Sequence, residues 1–288
     1  MRIRPAEGLA LTDPGCYQLS MADEPGFQLK GTAPERYEQY VAPIMAPFVT
    51  ALLDAVDLCP GATVLDLACG TGFAARAAAA QAGPTGRVFG ADVNEEMLRI
   101  ATTHHLRHYP DIEFTTASAD HLPYPDASFD AVVCQQGAQF FPDLTAALTE
   151  TARVTRPHGR LAATTWAPAA LTSPYFAAQH EVIREYGGPE PAASFAAAFA
   201  CTADDLTASL RTAGFHDAEA HELTFDIALP PLADFAPGHL SVLPWAQQIL
   251  DKDGPEALTA AGEALTARLT AEGTATFSFT ATLTTATR

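Results

Sequence analysis

The chain of 288 residues predicts an α/β protein, built as a doubly wound, mostly parallel seven-stranded sheet with helical cap insertions. Three observations carry that expectation. Strand-like and helix-like runs alternate between residues 62 and 166, the mark of a parallel sheet with helices on both faces. A glycine turn in "TVLDLACGTGFAARAA" joins the first strand-like run to an alanine-rich helix. Two later runs, "AHELTFDI" and "TATFSFTATLTT", supply two more strands after interruptions.

Taken in order, residues 1–32 show no strong period and are expected to form an N-terminal arm; residues 33–288 are expected to form one domain. "APERYEQYVAPIMAPFVTALLDAV" is amphipathic, but Pro43 and Pro47 remove backbone donors and predict a kinked or broken helix, suited to a lid. Strands are expected at 62–68, 87–92, 112–117, 129–135 and 160–166, and helices near 72–82, 94–108 and 143–156. Asn94, followed by two glutamates, and Asp143, after Pro142, have the chemistry of N-caps. Residues 168–200 are expected to form a cap over the sheet edge. Thr202 and Asp205 make a capping box for a helix stopping at Gly214. "AHELTFDI" follows, with His221, Leu223, Phe225 and Ile227 on one face. A second, helical insertion spans 229–273, and the terminal strand alternates Phe277, Phe279, Ala281 and Leu283 with threonine and serine.

Composition narrows the function. A net charge of −18 repels phosphate backbones and anionic membrane surfaces, so nucleic acid and membrane are not expected as partners. Cys16, Cys59, Cys69, Cys134 and Cys201 form no C-x-x-C pair and no ligand cluster, so neither a disulfide framework nor a metal is expected. Reduced thiols, an N-terminus without an apolar core and no run of roughly 18 apolar residues fit a soluble cytoplasmic protein. A small-molecule substrate fits best, and a homodimer is compatible with the chain.

Gly70, Gly72 and Ala75 satisfy the G-x-G-x-x-G/A spacing of dinucleotide folds, and Asp92, 20 positions after Gly72, stands where a ribose-binding acid belongs. Asp66 decides the cofactor. A carboxylate beside the turn repels a pyrophosphate and attracts a cation. S-adenosylmethionine carries a sulfonium and an ammonium in place of phosphates, and Asp92 can still accept from both ribose hydroxyls. The two acids favour S-adenosylmethionine over a nicotinamide dinucleotide.

"VLDLACGTG", "VFGADVNEEML", "ASADHLPYPDASFDAVVCQQGAQFFPD" and "ETARVTRPHGRLAATTW" together resemble the successive motifs of Rossmann-like class I S-adenosylmethionine-dependent methyltransferases, nearest the ubiquinone and menaquinone group, over residues 33–166. The resemblance implies that Asp66 lies near the methionine ammonium, that Gly70 and Gly72 let backbone approach the cofactor, and that Asp92 binds the ribose. It places Val93 and Met97 on the adenine, Ala119 and Asp120 along it, and the backbone of Gln135 toward the methionine amino group. Two positions depart from the pattern. Ala68 replaces the commonest first glycine, tolerable if its φ stays negative, and Ser118 stands where an adenine-binding Asp is frequent. His158 occupies a turn where the family usually has glycine.

On the acceptor side, the fourth strand ends in "CQQGAQFFPD", and a strand buried on both faces should not finish in amides without a partner for them. Gln136, Phe140, Trp166 and Tyr40 are the candidate substrate-binding residues. Tyr37 and Tyr40 each either close over the methionine end or staple the leading helix to the sheet. Gln139, His180 and His239 are the candidate catalytic residues, His180 by its helical stripe with Phe176 and Ile183; a structural role for either histidine is the alternative. In-line methyl transfer draws on alignment and water exclusion, so a base is needed only for a protonated nucleophile. The expected activity is methyl transfer from S-adenosylmethionine to a small, largely apolar acceptor, in specialised metabolism. The alternative is use of the bound cofactor without methyl transfer, for cyclisation or rearrangement.

Overall fold

A computed structural model describes residue 29, residues 31–105 and residues 110–288, with the side chain of His105 left out. The expected arm therefore lies outside the described residues except for Leu29, Gly31 and Thr32, and so does His108. Seven strands form one sheet: β1 (Thr63–Leu67), β2 (Arg87–Asp92), β3 (Ile112–Thr116), β4 (Phe129–Gln135), β5 (Thr155–Trp166), β6 (His216–Ala228) and β7 (Thr276–Thr287). Their order is β3-β2-β1-β4-β5-β7-β6, parallel through β5, with β7 running antiparallel between β5 and β6. This is the doubly wound, mostly parallel seven-stranded sheet that the sequence predicts. The strand order reverses between β1 and β4, and the crevice beyond their carboxyl ends is where open α/β sheets take ligands.

Local chemistry sets the helices. In α2 (Phe73–Ala82), Ala74, Ala75, Ala78 and Ala79 are buried, and their short side chains let the helix lie close to the sheet. Asn94 caps α3 (Glu95–His105), its Oδ1 accepting from the amides of Glu96 and Met97 at 3.0 and 3.2 Å. Asp143 caps α4 (Leu144–Val154) through the Ala146 amide at 2.8 Å. That helix ends at Val154, earlier than expected, because Pro157 turns the preceding residue away from helical geometry. β5 accordingly begins at Thr155, not 160, and carries the His158 turn within it at φ 66°.

The leading helix α1 (Ala33–Val56) is kept whole, without the break that the sequence allows: it passes through Pro43 and Pro47 as one helix. Each interior proline costs about 3 kcal/mol, while each large apolar side chain fully buried returns about 1.5–3 kcal/mol. Ile44, Phe48, Leu52, Leu53 and Val56, all at 2 % exposure or less, outweigh two prolines. By length and composition alone α1 would also span a membrane, the one helix among the described residues that would. Here its apolar face packs on the sheet, with Phe48 edge-on to Trp166 of β5 and to Phe225 of β6.

Both insertions build the cap. The chain between β5 and β6 forms α5 (Pro174–Val182), one wide turn at Ile183–Gly187, α6 (Pro189–Ala197) and α7 (Ala203–Thr212), the last opened by the Thr202–Asp205 capping box. The chain between β6 and β7 forms α8 (Leu232–Ser241) and α9 (Pro244–Ala271), which bends at Gly254 (φ 80°) before Pro255. Phe195, Phe235, Trp245, Ile249 and Leu265 join Trp166 and Phe279 in one apolar core. On the edge strand β6, Leu223, Phe225 and Ile227 are partly buried; His221, expected on that face, is exposed beside Glu219.

Candidate cofactor and acceptor site

A cavity of about 420 Å³ opens at the carboxyl ends of β1, β2 and β4, beneath α1 and the cap. Its floor is the β1–α2 turn. Asp66, in β1, lines it at 1 % exposure, and neither carboxylate oxygen has a hydrogen-bond partner. Burial, with the neighbouring Asp92, pushes its carboxyl up to about 8; the Ala75 amide, short of hydrogen-bonding geometry, and Arg76 oppose that shift only in part. Asp92, at the end of β2, accepts from the Gly70 amide on one oxygen (2.7 Å) and from the Asn94 amide on the other (2.8 Å). Burial raises its pKa too, and these amides offset the rise. A carboxylate oxygen accepts more than one hydrogen bond, so Asp92 keeps lone pairs for a pair of vicinal hydroxyls.

The turn is locked by sterics. Gly72 has φ 76°, and a Cβ there would stand 2.8 Å from the Phe114 ring. Ala68 corrects the sequence expectation of a negative φ: it sits at φ 56°, in the left-handed region that costs an L-residue roughly 1–2 kcal/mol. Its methyl fills the space beside Gly137, where an added Cβ would come within 2.6 Å of it. Arg76 of α2 ties the turn to the lid helix, donating to the Thr71 carbonyl at 2.7 Å and pairing with Glu38 of α1 at 2.6 Å.

Around this floor the cavity wall holds Val93, Met97, Ala119, Asp120 and Gln135. Val93, at 39 % exposure, is the large apolar side chain left uncovered among the described residues, and a flat heterocycle resting on it would complete its burial. The Ser118 hydroxyl donates to the Asp120 carboxylate, so an acid stands beside position 118 although the residue itself is not one. The Gln135 side chain is turned aside, its Nε2 3.0 Å from the Met45 sulfur.

The other side of the cavity is walled by Phe140, Trp166, Phe176, Phe199 and Trp245. Gln136 (φ 53°) and Gln139 meet through Gln139 Nε2 donating to Gln136 Oε1 at 3.2 Å, leaving the Gln136 Nε2 and Gln139 Oε1 buried without partners. Two sequence expectations fail here. Tyr40 does not line the cavity: its ring lies on Gly238 of α8, so close that a Cβ on Gly238 would stand 2.0 Å from it, and it staples α1 to the cap. Tyr37, one turn earlier, lines the cavity instead, its phenol pushed up by burial and by Asp92. His180 also misses the cavity; it is partly exposed, stacked on Phe195, and Gln179 takes the inward position. On a helical stripe both i+3 and i+4 face inward, and the smaller offset from Phe176 wins.

His239 does line the cavity, at 4 % exposure, with its ring flat on Phe235 at 5.7 Å. Its Nδ1 is met by the Tyr175 hydroxyl at 2.8 Å and by Gln179 Nε2 at 3.4 Å. Burial pushes its pKa down to about 3, so the ring is uncharged near neutrality, with its Nδ1 already engaged by Tyr175 and Gln179. Tyr175 and Gln179 escaped the sequence reading, although both belong to the apolar face of the helix from which His180 was chosen.

Comparison with known proteins agrees with this geometry. Residues 64–159, about a third of the chain, match a family model described as a methyltransferase domain. That span runs from β1 through β4 and includes the glycine turn, so the matched segment is the one that carries the floor of the cavity. Over 103 residues the chain is 46 % identical to the ubiquinone/menaquinone biosynthesis C-methyltransferase UbiE of Hahella chejuensis, a match covering 35 % of this chain and 41 % of that protein. Over 102 residues it is 42 % identical to the UbiE of Cupriavidus pinatubonensis, covering 35 % and 42 %. The chain thus spans about two fifths of the length of these relatives. Among solved structures, the phosphoethanolamine N-methyltransferase 2 of Haemonchus contortus, in complex with S-adenosyl-L-methionine, superposes with a TM-score of 0.59 at 18 % identity, over 89 % of this chain and 57 % of that one.

Proposed function

We propose that the protein binds S-adenosylmethionine at the β1–α2 turn and transfers its methyl group to a small, uncharged, largely apolar acceptor enclosed by the cap. The observation that carries this is Asp66: a buried carboxylate, without a hydrogen-bond partner, lining the cavity at the glycine turn. Such a group is costly to ionise unless a cation comes to it, and a pyrophosphate would meet both Asp66 and Asp92 at short range. When bound, S-adenosylmethionine supplies an electrophilic methyl on a positively charged sulfur.

The residues of the chain then have distinct tasks. Asp66 attracts the ammonium, Asp92 accepts from the ribose hydroxyls, and Val93 and Met97 cover the adenine. Phe140, Trp166 and Trp245 exclude water and align the acceptor, which is where much of the rate of an in-line transfer arises. No lysine or arginine is among the described residues lining the cavity, so a phosphorylated or carboxylate acceptor finds no counter-charge.

Calorimetry with S-adenosylhomocysteine tests the cofactor assignment, and saturable binding is expected. Folded protein that does not bind it would reject the proposal. Incubation with candidate acceptors and a methyl-labelled donor tests the transfer, with label expected in the product. Label kept wholly on the donor while a product forms would replace transfer with a rearrangement or cyclisation assisted by the cofactor.

A further inference from the structure

The cap half of the cavity contains a polar group that the apolar character of its walls does not call for. Tyr175, Gln179 and His239 are buried at 4 % exposure or less, come from two separate cap helices, and bond to one another. The hydrogen-bond directions follow from chemistry. An amide nitrogen can only donate, so Gln179 Nε2 donates to Nδ1 of His239. With Nδ1 accepting, the Tyr175 hydroxyl donates to it as well, and burial keeps that hydroxyl a phenol by raising its pKa far above the ordinary value. In a neutral imidazole one nitrogen carries the proton, and here it is Nε2. Among the described residues no hydrogen bond reaches Nε2, while His239 lines the cavity. Gln179 adds a second unsatisfied atom, its Oε1, buried and without a partner.

We propose that Tyr175, Gln179 and His239 form the acceptor-recognition site, in which His239 is a tautomer-locked N–H donor that positions an uncharged acceptor by a hydrogen-bond-accepting oxygen or nitrogen. Gln179 Oε1 offers a complementary acceptor for an N–H or O–H on the same molecule. This rests on the proposed function above and narrows its substrate: neutral, apolar over most of its surface, with a carbonyl-like acceptor atom. It also implies that the acceptor's nucleophilic atom reacts without losing a proton to His239. Tyr175 is a positioning residue, acting through the imidazole.

The test uses three probes of one shape on the full chain saturated with S-adenosylhomocysteine: 2-acetonaphthone, 2-ethylnaphthalene and 2-naphthoate. The ketone is expected to bind about three- to tenfold more tightly than the hydrocarbon, as one neutral hydrogen bond gives, and the anion most weakly. H239L should remove the preference for the ketone while leaving hydrocarbon binding near wild type. H239Q, whose Nε2 donates from about the same place, should restore part of it. Nitrogen-resonance spectra of labelled histidine provide a second readout: the His239 ring should show a bare Nδ1 and a protonated Nε2 from pH 5 to 8, and Y175F should disturb that pattern. Failure of the ketone to bind, equal binding of ketone and hydrocarbon, an unchanged preference in H239L, or a protonated Nδ1 would each overturn the proposal. Titration with S-adenosylhomocysteine on the same samples judges the cofactor reading separately.

Discussion

The two halves of the cavity are made differently. On the cofactor side the polar groups are positioned by backbone: Asp92 is held by the amides of Gly70 and Asn94, and Asp66 is fixed within a strand whose partners lie on both sides. On the acceptor side they are positioned by other side chains, in the Gln136–Gln139 pair just after β4 and around His239, where helices of the two insertions meet. Cofactor chemistry is thus written into short contiguous motifs, whereas acceptor chemistry depends on how distant helices come together.

That contrast can be broken from either side. The largest expected effect is Asp66→Asn, which keeps the shape of the turn and removes the charge. Loss of a charge-assisted contact worth about 1.5–3 kcal/mol should weaken S-adenosylhomocysteine binding by roughly 10- to 100-fold in calorimetry, while probe binding in the cap half is retained. The same variant should make the ligand-free protein more stable. Because burial raises the Asp66 pKa from 3.8 to about 8, its protonated form is favoured by folding; that stability is fully present below about pH 4 and is lost as pH rises through 8. The variant's melting temperature should exceed wild type by a margin that widens from pH 4 to 8 and is constant above, readable by scanning calorimetry.

Gly238→Ala breaks the other half. The new Cβ would stand 2.0 Å from Tyr40, and overpacking of this kind costs about 1–3 kcal/mol. The expected result is a lower melting temperature with cofactor affinity within about twofold of wild type, and partial recovery when Tyr40→Ala is added. Arg76→Met sharpens the boundary between the halves. Releasing both Thr71 and Glu38 should weaken S-adenosylhomocysteine binding by several-fold, about 1 kcal/mol, through a looser turn. The smallest effect belongs to Ala68→Gly, which relieves a left-handed alanine at the expense of a freer unfolded chain; a gain of about 0.5–1 kcal/mol in urea unfolding is expected, with affinity unchanged.

Legibility in the sequence follows the same division. Strands β1 to β4 and the caps at Asn94, Asp143 and Thr202 were legible because each depends on neighbours within a few residues. So were the Asp66, Gly70 and Asp92 positions, since a strand end, a tight turn and the next strand end fix them. The break considered for α1 failed to occur because local backbone cost says nothing about how much apolar surface the helix buries on the sheet. Ala68 failed likewise: its φ is set by the turn it must close, not by its own preference. His180 was misplaced by a single helical position and Tyr40 by one turn, offsets that a periodicity of 3.6 does not resolve, and Tyr175 and Gln179 acquire meaning only when α8 brings His239 to them.

The most direct test of the central claim is the proton balance of S-adenosylmethionine binding, measured by calorimetry at pH 7 in two buffers of different ionisation enthalpy. If the cation draws the charge out of a carboxyl that is mostly protonated in the free protein, with a pKa of about 8, binding should release about one proton in the wild type and none in Asp66→Asn. Heats that are identical in both buffers for wild type, or a proton release that persists in the variant, would contradict the assignment of Asp66 as the group that selects a cationic donor.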